Sequence, residues 1–140
     1  MFFASSKFAE AYRATDYIVR NRGREVVIRI GTTNHAVDRL LGKHKSRTAT
    51  FVTASNPSSK QRGAVANAGA HRLLVAALKS RKAKLLEGEG HSQNGIWPPE
   101  RSVLAFGLDQ RAATAIVRRF RQNAIVFVEC GRPARLLELR

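Results

Sequence analysis

The stretch Asn56-Pro57-Ser58-Ser59-Lys60, with Arg62 close behind, is the part of this 140-residue chain best equipped to hold a ligand. It joins an apolar, β-branched run to a helical pattern. In open α/β sheets ligands collect beyond the carboxyl ends of strands, and the free N–H groups of a helix N-terminus attract anions. Backbone amides, the Ser58 or Ser59 hydroxyl and a basic side chain would together suit a phosphate or a carboxylate. The glycines and the Gly-Lys-Ser/Thr of a phosphate loop are absent. A plainer reading competes: Asn56 and Pro57 shape a turn, and Ser58 or Ser59 caps the helix.

Asn67 and His71 stand four residues apart, so they share a face of that helix. If the helix starts near Lys60, Asn67 lies about 12 Å from its cap, on a pocket floor or bridging backbone groups of neighbouring elements. His71 titrates near neutral pH; with no carboxylate partner evident in the sequence, a partly exposed helix histidine is the plainer expectation. Glu100 is the only acid between Gly90 and Leu108. As a general base it would need burial or a like charge to raise its pKa. With 25 Lys and Arg in the chain, pairing with a base is its expected state. A second carboxylate at convincing spacing is missing. His35, His44, His71 and His91 form no ligand spacing, and Ser-x-x-Lys does not occur. Neither a metal nor a cofactor is therefore expected, and whether the chain is an enzyme stays open.

The charge is one-sided: 25 bases against 10 acids, a formal +15. Residues 1–70 carry +8 and residues 71–140 carry +7, so the excess is not a tail. Between Arg39 and Leu86 there are eleven Lys or Arg residues and no acid. The stretch includes Arg62, Lys79, Arg81, Lys82 and Lys84. A later helical pattern adds Arg111, Arg118, Arg119 and Arg121. A one-signed surface of this kind attracts the phosphates of RNA or DNA, and the two groups could form one patch. No aromatic ladder interleaves with them for base stacking. A merely solvated basic face is the plainer alternative.

The elements that must position these residues follow from periodicity. Strands are expected at 15–19 and 25–30 around a turn at Asn21-Arg22-Gly23-Arg24. Thr33 or Asn34 should cap a short helix ending at Gly42. A buried, central strand at 48–54 leads through the Asn56 loop to a helix from about Lys60 to Ser80, burying Ala66, Ala70, Leu73, Leu74, Ala77 and Leu78. A strand at 84–88 should give way to an irregular polar stretch at 90–95 and an extended Trp97-Pro98-Pro99. A strand at 102–108, a helix capped by Asp109 and a closing hairpin at 123–139 complete the chain. The order ββαβαββαββ predicts an α/β fold bordering on α+β, a single mixed sheet with about three helices packed on it, in one domain over residues 1–140. No apolar run approaches the roughly 18–20 residues that cross a bilayer. The opening Met1-Phe2-Phe3-Ala4 is too short for a signal-peptide core. With a lone Cys130, a cytoplasmic location is the expectation.

Four short motifs occur in a distinctive order: Thr53-Ala54-Ser55-Asn56-Pro57, Asn67 in the following helix, Glu100 before a strand, and Gln122-Asn123-Ala124 opening another. In this the chain resembles the uncharacterised bacterial family filed as domain of unknown function thirty-two ninety-three. That family has a Thr-Ala-x-Asn-Pro loop, usually with Trp at x, and a Phe-Gly-Gln-Asn-Ala strand entry. Here Ser55 replaces the Trp, Arg101 stands between Glu100 and Ser102, and Arg121 replaces the Gly. An Arg at that point requires a helix end that does without positive φ. The resemblance, from about Thr15 to Leu139, supports the fold, flags Gln122 beside Asn56, Asn67 and Glu100, and implies no reaction.

Three functions fit these observations. The leading one is non-specific backbone binding of RNA or DNA. The second is a small-molecule or nucleotide pocket around the Asn56-Pro57 loop, with or without catalysis. The third is docking on an acidic protein.

Overall fold

Arg22 and Gly23 both take positive φ, 53° and 79°, the twist of a two-residue hairpin turn. They join β1 (Thr15–Asn21) to β2 (Arg24–Ile28). The chain, as a computed structural model, is described over residues 4–56, 60–95 and 97–139. After β2, Asn34 caps α2 (His35–Lys43), its side chain accepting from the amides of Ala36 and Val37. Then come β3 (Thr48–Thr53), α3 (Ala64–Ser80), β4 (Lys84–Ser92), β5 (Glu100–Phe106), α4 (Gln110–Arg118), β6 (Ala124–Glu129) and β7 (Arg135–Glu138). Asp109 caps α4 through the Ala112 amide. A helix the periodicity reading did not include, α1 (Ala4–Arg13), precedes β1, which makes four helices rather than three.

The seven strands form one sheet in the order β2-β1-β4-β5-β3-β6-β7, and every ladder in it is antiparallel. The expected mixed sheet is corrected to an antiparallel one, and the fold is α+β. The reason is topological. A strand-helix-strand alternation fixes the direction of two strands but not their adjacency. β3 and β4, joined by α3, run the same way, yet β5 lies between them; β3 likewise separates β5 from β6. An isolated parallel bridge, Ile30 to Ala134, brings the two edges of the sheet together. There Gly31 N donates to Ala134 O at 2.7 Å and Ala134 N to Thr32 O at 3.2 Å. The sheet is therefore curled.

Alternation with period two divides the strand residues between two cores. Tyr17, Val19, Phe51, Leu104, Phe106 and Val126 point inward, where Val37, Leu40 and Leu41 of α2 join them. Val52, Val103, Ala105 and Ile125 point outward, under Leu74 and Leu78 of α3 and Ile116 and Val117 of α4. α2 shares this core with Phe106 and Val128, and His44 at its end stacks on Phe106 at 4.1 Å, so it plugs the end of the curl where β5 finishes. The other end, where β3 and β4 finish and β5 and β6 begin, is the mouth.

Two expected elements shift. α3 begins at Ala64 behind Gly63, which offers no side-chain cap; a helix start at Lys60 is thus corrected. Of its expected buried face, Leu74 and Leu78 are buried, whereas Ala66 is exposed and Leu73 is 66% exposed. β4 continues through the stretch expected to be irregular, because β1 and β5 pair with it on both sides as far as Ser92 and Gly90. Among the described residues no helix is long and apolar enough to cross a membrane.

Candidate functional site: a pocket at the mouth of the curled sheet

The inward row of each strand ends at the mouth in a different kind of residue from the aliphatics at its plugged end. Tyr17 and Thr15 come from β1, Phe51 and Thr53 from β3, Gly90 and Ser92 from β4, and Glu100 and Ser102 from β5. Together with α1, the Asn56 loop, Trp97-Pro98 and Gln122 they enclose a pocket with about 100 Å³ open to the centre of a water-sized sphere. By that measure one water needs roughly 10–15 Å³, so the space holds several waters or a compact ligand. Tyr17 and Phe51 meet edge to face at 5.2 Å and 68°. The Tyr17 hydroxyl donates to Tyr12 O at 2.7 Å, and burial pushes the phenol's pKa up.

Asn56 organises the polar side of this pocket. Its φ of 49° is left-handed, a region Asn tolerates better than most residues. Its Nδ2 donates to Glu100 Oε2 at 2.6 Å. Its Oδ1 accepts from Arg62 N at 2.9 Å and from Asn67 Nδ2 at 3.0 Å, while its own amide donates to Asn67 Oδ1 at 3.0 Å. Asn67 Nδ2 also reaches Arg62 O at 3.3 Å. With α3 starting later than expected, Asn67 is in its first turn and holds the loop directly, so the 12 Å separation is corrected. Gln122 is buried, and its Nε2 donates to Ser55 O at 3.1 Å and Phe120 O at 3.3 Å, tying the end of α4 to the same loop. Asn56, Asn67, Glu100 and Gln122 thus come together, with Asn67 behind the pocket wall rather than in it.

Among the described residues Glu100 is paired with no base, contrary to expectation. Among the described residues its carboxylate takes one hydrogen bond, from Asn56, and none of the ion pairs includes it. Arg101, next in the chain, points to the other face of β5 and contacts Glu87 at 3.3 Å. Burial pushes the Glu100 carboxyl's pKa up, and the Asn56 bond offsets part of that. Ser58 and Ser59 lie outside the described residues. Lys60 and Arg62 are exposed and do not line the pocket.

His71 is buried rather than partly exposed. Its Nε2 stands 3.5 Å from Glu87 Oε1 without hydrogen-bond geometry. Burial lowers its pKa, and Glu87 opposes the shift. It belongs to the outer core, away from the pocket. No group of three or more His, Cys, Asp or Glu among the described residues is placed to hold a metal.

The nucleic-acid candidates Arg62, Lys79, Arg81, Lys82, Lys84, Arg111, Arg118, Arg119 and Arg121 are all exposed. The ion pairs among the described residues use Arg20, Arg29, Arg101, His71 and His91, and none of these nine. The helices and turns place eight of them at two levels of the sheet. Lys79, Arg81, Lys82 and Lys84 surround the turn into β4, whose start pairs with Phe106 at the plugged end, and Arg111 opens α4 there. Arg118, Arg119 and Arg121 close α4 on the way to the mouth, about 12 Å further along at 1.5 Å per residue. Arg121 has a φ of 56°. The helix end does use the left-handed conformation, and an Arg adopts it where a Gly would be unstrained.

Sequence reasoning missed the walls: Tyr17, Phe51, Trp97, Ser55 and Ser102. The strand parity carried part of the signal, since Tyr17 and Thr15, Phe51 and Thr53, or Glu100 and Ser102 each share a face. Only the pairing register brings the three strands' inward rows to one mouth.

Fold and site define an α+β protein on a curled antiparallel sheet, plugged at one end and pocketed at the other. The chain belongs to the family described as protein of unknown function DUF3293, whose model matches residues 52–125. The matched residues include Asn56, Asn67, Glu100 and Gln122. No curated protein and no solved structure matches the chain.

Proposed function

We propose that this chain binds a small molecule in the pocket at the open end of its sheet. In this reading Glu100 is the polar anchor and the group that exchanges a proton with what is bound. One observation carries it: a carboxyl brought among apolar and neutral side chains, with a single Asn as partner and no base beside it among the described residues. Burying an ionisable group is unfavourable, and a Gln would accept the same hydrogen bond, so the sheet does not need an acid there. Perturbed carboxyls in clefts are where proton-transfer chemistry is found. Asn56, Asn67 and Gln122 serve as positioning residues that hold the Asn56 loop.

A fragment screen followed by protein NMR tests this. Binders should shift the Trp97 indole N–H and the side-chain amides of Asn56 and Gln122, and Glu100→Ala should weaken them by about tenfold or more, the loss expected of a hydrogen bond to a charged group. Shifts confined to other surfaces, or affinities untouched by Glu100→Ala, would withdraw the reading.

A second reading, non-specific binding of RNA or DNA, is favoured by the nine exposed bases that enter no ion pair among the described residues. It predicts that the affinity for a labelled RNA or duplex falls steeply with salt. Undetectable binding in low salt would eliminate it.

A further inference from the structure

We propose that the pocket selects a compact organic cation bearing N–H donors, an ammonium or amidinium group, and rejects anions. The inference rests on the pocket reading and names the class of ligand. Its first support is charge. In a chain with 25 Lys and Arg, the described residues lining the pocket include one carboxylate, Glu100, and no Lys, Arg or His. A phosphate or carboxylate entering there would meet a like charge, with no cation among the described lining residues to offset it. A cation would meet Glu100, which has no basic partner among the described residues.

The second support is hydrogen-bond polarity. Five hydroxyls of the wall give their hydrogens to backbone carbonyls. Thr15 donates to Ala11 O at 2.7 Å, Tyr17 to Tyr12 O at 2.7 Å and Thr53 to Arg101 O at 2.8 Å. Ser92 donates to Trp97 O at 3.3 Å and Ser102 to Glu100 O at 2.9 Å. Both Gln122 Nε2 hydrogens are used, which leaves its Oε1 as an acceptor. Glu100 Oε1 is a second acceptor, since Asn56 holds Oε2. Other donors among the described wall residues, such as the Ser55 hydroxyl, one Asn56 hydrogen and the Trp97 indole N–H, are neutral. The wall asks for a ligand that brings its own donors. The third support is the aromatic lining: Tyr17, Phe51 and Trp97 suit a cation, whose charge is attracted to aromatic rings, better than an anion.

The test is an NMR titration of the whole chain with benzylamine and benzamidine, their neutral counterparts benzyl alcohol and benzamide, and benzoate. The amine and amidine arms separate the two kinds of cation. At about pH 7.5 the cations should bind at the Trp97 and Gln122 signals at least about tenfold tighter than the neutral compounds. Benzoate should not bind. Among the described residues the titratable groups facing the pocket are Glu100 from β5, Tyr17 from β1 and Tyr12 from α1. Of these only Glu100 gains a proton on acidification, so the cations' advantage should shrink toward about pH 5. Glu100→Gln, which keeps the Asn56 hydrogen bond, should bring benzylamine down to the level of benzyl alcohol. Neutral compounds or benzoate binding the pocket as tightly as the cations would overturn the inference and leave the pocket reading standing. If none of the five moved those signals, both would fall.

Discussion

Glu100 sets how this protein's stability should depend on pH. The ordinary carboxyl value is 4.5, and burial holds the folded-state value above it. Between the two values the folded chain binds more protons than the unfolded one. Stability therefore falls as pH rises through that window, and the loss is complete above the folded-state pKa. Glu100→Gln removes the ionisation but not the acceptor for Asn56 Nδ2. Wild type and variant should unfold at similar urea concentrations below pH 4.5. They should separate as pH rises, with the variant more stable at neutrality. His71 acts in the opposite sense: its lowered pKa makes stability fall as pH drops from 6.5 through the folded-state value. It is present in both proteins, so it cancels from the difference. Urea midpoints whose difference does not change with pH would mean that the folded chain does not desolvate Glu100.

Among the elements, β4 shows most clearly how the strands make room for the pocket. Gly88 and Gly90 both point inward, but they differ in what surrounds them. A Cβ on Gly88 would stand 2.5 Å from Ile18 O and 2.9 Å from Phe51 Cε2. A Cβ on Gly90 would make ordinary contacts, 3.7 Å to Thr15 Cγ2 and 4.0 Å to Tyr17 Cδ1. Gly88→Ala should cost about 1–3 kcal/mol, the usual range for overpacking, and Gly90→Ala should be neutral or slightly stabilising. Equal denaturation midpoints for the two variants would contradict this account of β4. The same strand shows where the sequence was legible and where it was not. The Lys84–Gly88 run reads as a strand because its apolar residues reveal it. Gly90-His91-Ser92 reads as loop because its strand character comes from partners on β1 and β5, which no local pattern contains. The Asn34 and Asp109 caps and the Arg22-Gly23 turn were readable because their chemistry is local. Asn56, Asn67, Glu100 and Gln122 could be flagged, but not how they bond, since the Asn56–Glu100 contact spans 44 residues and depends on β5 pairing with β3. Arg121 was misread for another reason: its left-handed φ is imposed by the sharp turn from α4 into β6, and the side chain gives no sign of it.

Over the whole molecule, the excess of 25 bases over 10 acids has a consequence for stability in salt. A folded chain of this length has a radius of gyration of about 14 Å, against about 39 Å unfolded. Folding therefore brings the net +15 into a much smaller volume. The exposed pairs of Arg20 with Glu25 and Glu89, of Arg29 with Asp16, and of Arg101 with Glu87 contribute little to offset the repulsion, as surface pairs generally do. The Debye length is about 30 Å at 0.01 M salt, longer than the folded radius, so the cations act on one another across the molecule. At about 0.1 M it is near 10 Å, shorter than that radius, and most of the repulsion is screened. The melting temperature should then rise with NaCl over this range and level off. For a domain of this size a gain of about 1 kcal/mol corresponds to roughly 3–5 °C. If ion pairs outweighed the repulsion, salt would lower the melting temperature instead. Calorimetry at several NaCl concentrations decides between the two signs, and a falling curve would mean that attraction between the bases and the 10 acids exceeds the repulsion among the 25 bases.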